Sequence, residues 1–350
     1  TTYYPKLCLL QLASDDIAAC VDPLAIDDLS PLWELLYDPS TVKVFHAARQ
    51  DLEIFLNLQQ QLPSPIFDTQ PAAALLGIGD QVGYGTLVDK LLGLKLDKGH
   101  ARTDWSRRPL DQNQIDYAYN DVIHLADIYL KMRDQLEQLG RLQWLESDFA
   151  ELTEPATYIV EPEQAWKKVK GRQTLRGVQY AVLQQLAGWR EQQAIANNRP
   201  RRRILKDEIL IDLSRRPPKN IEQIGRIRGM DSRDAKRWGQ KLLELIDQGG
   251  NLPRDQWPRE KIPPKLNLRQ QALADVLSAA LRLIADEYGL TASSIATRKE
   301  IERLISGDET SELLHGWRLA VAGQKLQALL QGQASLELTN GELHLSQAKV

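Results

Sequence analysis

Tyr117 and Asp121 stand four residues apart in a stretch of helical spacing, which puts both side chains on one helix face. That face is offset from the apolar stripe through Ile115, Ala118 and Val122. A phenol one turn from a carboxylate can hold a water beside a metal ion. Asp51 is a second candidate. It begins the helix after the extended run Val42-Lys43-Val44-Phe45-His46, at a strand's carboxyl end, where α/β sheets place their sites. Taken alone, each has a blander reading that comes first. The pair reads as a surface tyrosine beside a solvated aspartate, and Asp51 as an acidic residue favoured by the helix dipole. Two basic features could meet phosphate. Trp105 sits in a loop among Arg102, Arg107 and Arg108, and the stretch 199–241 carries fourteen Lys or Arg against six Asp or Glu. Its densest part is Arg199-Pro200-Arg201-Arg202-Arg203, and basic charge gathered on a small helical domain is the electrostatic footprint of a nucleic-acid binder. The competing reading is a solvated helix face.

These residues need elements to hold them. The short apolar runs 7–12 and 17–21, joined by a polar turn, predict an antiparallel hairpin. Leu29, Leu32, Leu35 and Leu36 have helical spacing; Leu52, Phe55 and Leu56 follow the 42–46 strand as another helix. Ile66-Phe67 ends at Asp68-Thr69, both good N-caps for a helix through Ala72 to Leu76. A single helix is predicted around 113–135. A hairpin followed by alternating strands and helices predicts an α/β domain with a mixed sheet over 1–150.

Residues 151–172, punctuated by Pro155 and Pro162, read as a linker. Beyond it strand signals stop. Val178, Val182, Leu186 and Trp189 open an all-helical block over 173–250, with Trp189 in its core. A second linker over 251–265, with four prolines, leads to another helical block over 266–332. In the tail (333–350), Leu336, Leu338, Leu343 and Leu345 alternate around Asn340-Gly341, a strong hairpin signal.

Composition bounds the partners. The 350 residues are 43% hydrophobic and 26% charged, with a net charge of -3, which is ordinary for a soluble protein of two or three domains. No run approaches the ~18 apolar residues of a membrane span, so no membrane association is expected. Cys8 and Cys20 match no zinc spacing and read first as small packing residues in a reducing cytoplasm, with a bridge between the two neighbouring strands as the alternative.

Four segments, in order, resemble the ribonuclease D family. His46-Ala47-Ala48-Arg49-Gln50-Asp51-Leu52-Glu53 resembles the family's second exonuclease motif, and Tyr117-Ala118-Tyr119-Asn120-Asp121 fits its third, Tyr-x-x-x-Asp. Phe67-Asp68-Thr69-Gln70 and Arg102-Thr103-Asp104-Trp105-Ser106-Arg107-Arg108-Pro109-Leu110 lie between them. The helical blocks resemble tandem HRDC domains, the first through Ile221-Glu222-Gln223-Ile224-Gly225 and Gly229-Met230. The resemblance implies an RNase H-like exonuclease fold, two HRDC-like domains and metal-dependent 3'-5' hydrolysis of RNA. It further implies tRNA-precursor trimming with release of nucleoside 5'-monophosphates by a cytoplasmic monomer. By the same resemblance two divalent ions, Mg2+ or Mn2+, are held by Asp121 directly and Asp51 through water, Tyr117 orients the attacking water, and Arg102, Trp105, Arg107, Arg108, Arg201, Arg202 and Arg203 face RNA. The family's first motif, Asp-x-Glu, lies on a strand just upstream of the segment resembling Tyr3-Tyr4-Pro5-Lys6-Leu7 and is not among the 350 residues. The expectation is therefore an N-terminally truncated chain with little activity of its own, with a non-catalytic RNA-binding protein as the alternative.

Overall fold

The computed structural model describes residues 2–14, 16–96, 99, 103–260 and 265–347. The predicted hairpin is present as β1 (Leu10–Ala13) and β2 (Ala18–Val21), antiparallel with Leu10 opposite Val21. Next come α1 (Ser30–Tyr37), β3 (Lys43–Phe45), α2 (Arg49–Gln59), β4 (Ile66–Asp68) and α3 (Thr69–Leu75). β3 and β4 run parallel, pairing Phe45 with Asp68, so the ends of both strands and the starts of α2 and α3 meet at one place. The sequence predicts one mixed sheet. Among the described residues β1–β2 and β3–β4 form separate two-stranded ladders, one antiparallel and one parallel.

α4 (Tyr84–Leu92) is followed by α5 (Gln112–Asn120), α6 (Leu125–Gln138) and α7 (Glu146–Leu152). The single helix predicted over 113–135 is broken. α5 opens with a capping box between Asp111 and Gln114 and ends at Asp121, and residues 121–124 form turns before α6. Asn120 and Asp121 are poor helix formers whose side chains compete for backbone groups, and β-branched Val122 and Ile123 follow them. The break leaves Asp121 as the C-cap of α5 instead of a mid-helix residue.

The chain forms two compact units, one of Leu7–Thr157 with Pro263–Val350, the other of Thr1–Lys6 with Tyr158–Ile262. In the second, α8 (Val178–Ala196), α9 (Arg201–Ile204), α10 (Asp207–Arg215), α11 (Ile221–Gly225) and α12 (Ser232–Gly250) enclose one core. Trp189 is buried in that core, edge-on to Trp238 with ring centres 5.5 Å apart, as its spacing predicts. The stretch expected as a linker instead supplies core: a 3-10 run over Pro162–Lys168 and the residue after it bury Ala165, Trp166 and Val169. Proline punctuation marks a break in regular structure and does not mark solvent exposure.

The other unit holds the second helical block, α13 (Leu268–Glu287), α14 (Ala292–Ile295) and α15 (Arg298–Ser306), followed by a π turn at Leu319–Gly323. It has no separate core. Leu277, Leu281 and Ile284 join Leu87, Ile128, Met132, Leu136 and Leu145 in one cluster. Trp144 and Trp317 stack with ring centres 4.9 Å apart and planes 1° from parallel. Arg141 donates to the carbonyls of Leu75 at 2.8 Å and Tyr288 at 2.6 Å. Gly77, at φ +71°, has no room for a Cβ because the Gly289 carbonyl lies there. The predicted tail hairpin is β5 (Ala334–Thr339) and β6 (Glu342–Gln347), turned by Asn340 and Gly341 at φ 55° and 84°. Among the described residues no helix is long and apolar enough to cross a membrane, and Cys8 and Cys20 are not joined in a disulfide.

Candidate active site

The site is built at the junction of β3, β4, α2 and α3. Asp68 ends β4 and is 3% exposed. Its carboxylate accepts the backbone N–H of Ala47 at 2.9 Å, Ala48 at 2.8 Å and Gln70 at 2.9 Å. It therefore caps α3, as the sequence predicts, and also clasps the residues that start α2. Ala47 has φ 60°, an unfavourable backbone for a residue with a Cβ, and the Asp68 bond holds its amide there. This clasp sets the direction of α2 and so places Asp51 in its first turn.

Asp51 is open to solvent on one side but crowded by protein on the others, and this burial, with the nearby Asp68 charge, pushes its carboxyl up to about 6. Burial likewise pushes Asp121 up to about 6. Its charge reaches Tyr117, one turn back, whose phenol is raised by burial first and by Asp121 second. Trp105 lies against Tyr117, ring centres 6.2 Å apart and tilted by 34°. The structure thus brings Tyr117, Asp121 and Trp105 together and sets Asp51 beside Asp68.

The arginines separate into different roles. Arg108 is a staple: its guanidinium binds both Asp22 oxygens at 2.6 Å and the carbonyls of Cys8, Trp105 and Arg107, tying the β1–β2 hairpin to the Trp105 loop. That engagement leaves little of it for substrate, contrary to its expected place against RNA. Arg107 is exposed, with an ion pair to Asp104 at 3.4 Å. Arg201 is also structural. It bonds the buried Glu191 and the Tyr3 hydroxyl and covers the Tyr3 ring at 4.7 Å. Arg202 pairs with Asp207 and Glu208, and Arg203 is exposed. Arg102 lies outside the described residues. A basic groove of about 630 Å3, missed as such in the sequence, is lined by Arg215, Arg216, Arg226 and Arg228 with Pro217 and Pro218.

Asp51 and Asp121 have no cationic side chain against them among the described residues, and both are driven toward protonation. Once deprotonated, carboxylates without a protein counter-cation suit a hard divalent cation, which would compete with the proton for them. Asp68 already spends its carboxylate on three backbone amides, two on Oδ1 and one on Oδ2. Among the described residues no three His, Cys, Asp or Glu side chains converge closely enough to hold a metal by themselves.

The α/β segment and the helical domain that follows it are those of a 3'-5' exonuclease with an HRDC domain. Residues 1–137 match the 3'-5' exonuclease family and residues 179–246 match the HRDC domain. Ribonuclease D of Bartonella henselae is 38% identical over 99% of this chain and 86% of its own length. That of Gluconacetobacter diazotrophicus is 42% identical over 96% and 86%. The crystal structure of Escherichia coli RNase D, described as an exoribonuclease involved in structured RNA processing, matches with a TM-score of 0.82 and 32% identity, covering 95% of this chain and 90% of that one. The chain belongs to the ribonuclease D family of 3'-5' exoribonucleases, which does not favour the non-catalytic alternative.

Proposed function

We propose that this protein removes nucleotides from the 3' ends of RNA, with tRNA precursors as the substrate class, through a site centred on Tyr117, Asp121 and Asp51. The observation that carries the assignment is the half-enclosed, uncompensated carboxylate of Asp121 one turn from Tyr117, with Asp51 likewise uncompensated in the first turn of α2, both at positions that match the family's motifs. Two divalent cations, Mg2+ or Mn2+, would be held by Asp121 and Asp51 together with the first-motif carboxylates, and when bound would activate water and neutralise charge on the phosphate. Asp68 keeps Asp51 in place. The Tyr117 hydroxyl holds the attacking water in line with the scissile bond. Trp105, packed on Tyr117, offers an apolar face against which the 3'-terminal base can rest. In the exonuclease region the two ladders are read as parts of one mixed sheet, and 266–332 as a second HRDC-like domain whose apolar face is covered by the exonuclease segment. The unbridged cysteines fit a reducing cytoplasm.

Phosphate binding by the first HRDC domain is assigned to the groove of Arg215, Arg216, Arg226 and Arg228, together with Arg203. Arg215 and Arg226 are partly neutralised by Asp212 and Glu222, whereas Arg216 and Arg228 make no ion pair among the described residues. The central test is Asp121→Asn and Tyr117→Phe in protein that carries the first-motif carboxylates. Asp121→Asn should abolish Mg2+-dependent release of mononucleotides from a 5'-labelled RNA while RNA affinity persists. Tyr117→Phe should slow turnover with metal affinity retained. Near-normal turnover in Asp121→Asn removes the assignment.

A further inference from the structure

Trp105 stands in a loop with little core of its own. The ring is half-buried against Tyr117, while Asp104, Ser106, Arg107 and Pro109 around it are exposed. Asp104 winds the loop locally, accepting the Ser106 backbone N–H at 3.1 Å and the Ser106 hydroxyl at 2.6 Å. That turn gives the loop a shape but does not fix where it lies. An unanchored loop would have to be ordered each time a ligand leaned on the ring, at a cost in affinity.

Arg108 supplies the anchor. A guanidinium has five N–H donors, and here all five are engaged. Nε and Nη2 grip the two Asp22 oxygens, each at 2.6 Å, and Nη2 also donates to the Cys8 carbonyl at 2.6 Å. Nη1 donates back into the loop, to the carbonyls of Trp105 at 2.9 Å and Arg107 at 2.8 Å. Asp22 is itself oriented, since it accepts the Leu24 backbone N–H at 3.0 Å directly after β2. The helix that carries Tyr117, α5, packs against the same strand. Both rings are therefore referenced to the end of β2, Tyr117 through its helix and Trp105 through the Arg108 fork.

We propose that Arg108 and Asp22 are positioning residues for the 3'-terminal nucleotide: they hold the Trp105 ring beside Tyr117, so that the terminal base stacks without first ordering the loop. The inference rests on the reading that Trp105 receives that base. Arg108 touches no reacting group and acts through Trp105. Stacking on an aromatic ring is tolerant of sequence because every base has a π face. The pair therefore favours any unstacked 3' end and does not select among bases. Lysine cannot replace the arginine, because three donors on one nitrogen cannot span both Asp22 oxygens and the carbonyls on either side.

The test is Arg108→Lys in protein that carries the first-motif carboxylates, assayed on two RNAs that differ only in whether the 3'-terminal nucleotide has a base. KM for the base-bearing RNA should rise about tenfold, the size of one lost base–aromatic stack, with kcat nearly unchanged. On the RNA with an abasic 3' terminus, Arg108→Lys and the unsubstituted enzyme should share one KM. Trp105→Ala should give the same pattern, and the double variant should be no worse than Trp105→Ala, because both substitutions remove one interaction. Asp22→Asn repeats the test from the other end of the fork, so a folding defect in Arg108→Lys does not leave the question open. Equal KM penalties on the two RNAs, or losses that multiply in the double variant, would overturn the positioning role. If Trp105→Ala leaves both RNAs unaffected, the reading of Trp105 as the platform for the terminal base fails and the inference goes with it. If Trp105→Ala shows the base-dependent loss while Arg108→Lys and Asp22→Asn do not, the role of the fork alone is wrong.

Discussion

If Asp51 and Asp121 hold cations as proposed, their site is prepared at a cost in stability. Both carboxyls are raised to about 6, Asp51 by burial and the Asp68 charge and Asp121 by burial. A carboxyl raised on folding binds its proton more tightly in the native state, so protonation favours the fold. Without divalent ions, stability should therefore be greater near pH 4–5 and decline as pH rises through about 6. A tenfold change in proton affinity is worth about 1.4 kcal/mol, and solvent reaching the site reduces the total to about 1–2 kcal/mol per group. Asp121→Asn should then raise the melting temperature of the metal-free protein at pH 7 even though it abolishes turnover. Adding Mn2+ should stabilise the unsubstituted protein, with much less effect on Asp121→Asn, and that stabilisation should fade as pH falls through 6. Thermal melts at pH 5 and 7.5, with and without Mn2+, check this. A melting temperature for Asp121→Asn below that of the parent would contradict it.

At the scale of elements, the β4–α3 corner controls where α2 points. Asp68→Asn keeps the shape but loses the charge and turns an amide N–H toward amides that also donate. Loss of those charge-assisted bonds should cost about 2–3 kcal/mol in chemical denaturation. Turnover should fall with it, since Asp51 is displaced. Denaturation within about 0.5 kcal/mol of the parent would show that the clasp is not needed. Much of this corner was legible in sequence: Asp68-Thr69 as a cap, Asp51 in a first turn, and the strands on either side. Those are local properties, written in spacing and capping chemistry. The end of α5 at Asp121 was harder to read, because the apolar stripe Ile115, Ala118, Val122, Leu125 continues in phase through the break. Periodicity records which face is apolar and is blind to a turn that preserves the phase. The Ala47 conformation left no trace in sequence, since alanine carries no preference for positive φ.

Across the whole molecule, what sequence could not convey was partnership between distant residues. Arg108 and Arg201 read as free cations for phosphate, yet one is held by Asp22, 86 positions away, and the other by Glu191 and Tyr3. Charge density in a sequence counts cations without their counter-ions, and only folding shows which are already engaged. Arg216 and Arg228 make no ion pair among the described residues and are the cations that the proposed RNA groove relies on. Replacing both by Ala should reduce the salt dependence of single-stranded RNA binding by about 1.4 in log–log slope, roughly 0.7 for each lost phosphate contact. An unchanged slope would return the groove to an ordinary solvated face. The second helical block is the larger surprise of this kind, because its composition suggests a module like the first. Each block has apolar helical stripes, but the first closes on itself with Trp166, Leu183, Leu186 and Leu210, while Leu277, Leu281 and Ile284 of α13 belong to one cluster with Met132, Leu136 and Leu145. Deleting 263–350 should therefore strip one wall from the core of the exonuclease segment, and apolar area exposed there costs about 25 cal/mol per Å2. Hydrogen exchange of the shortened chain should show lost protection in β4, α3 and α6, with α8 and α12 protected as before. Full protection of α6 in the shortened chain would mean that the exonuclease segment closes its own core and that the helices after 265 are an appendage.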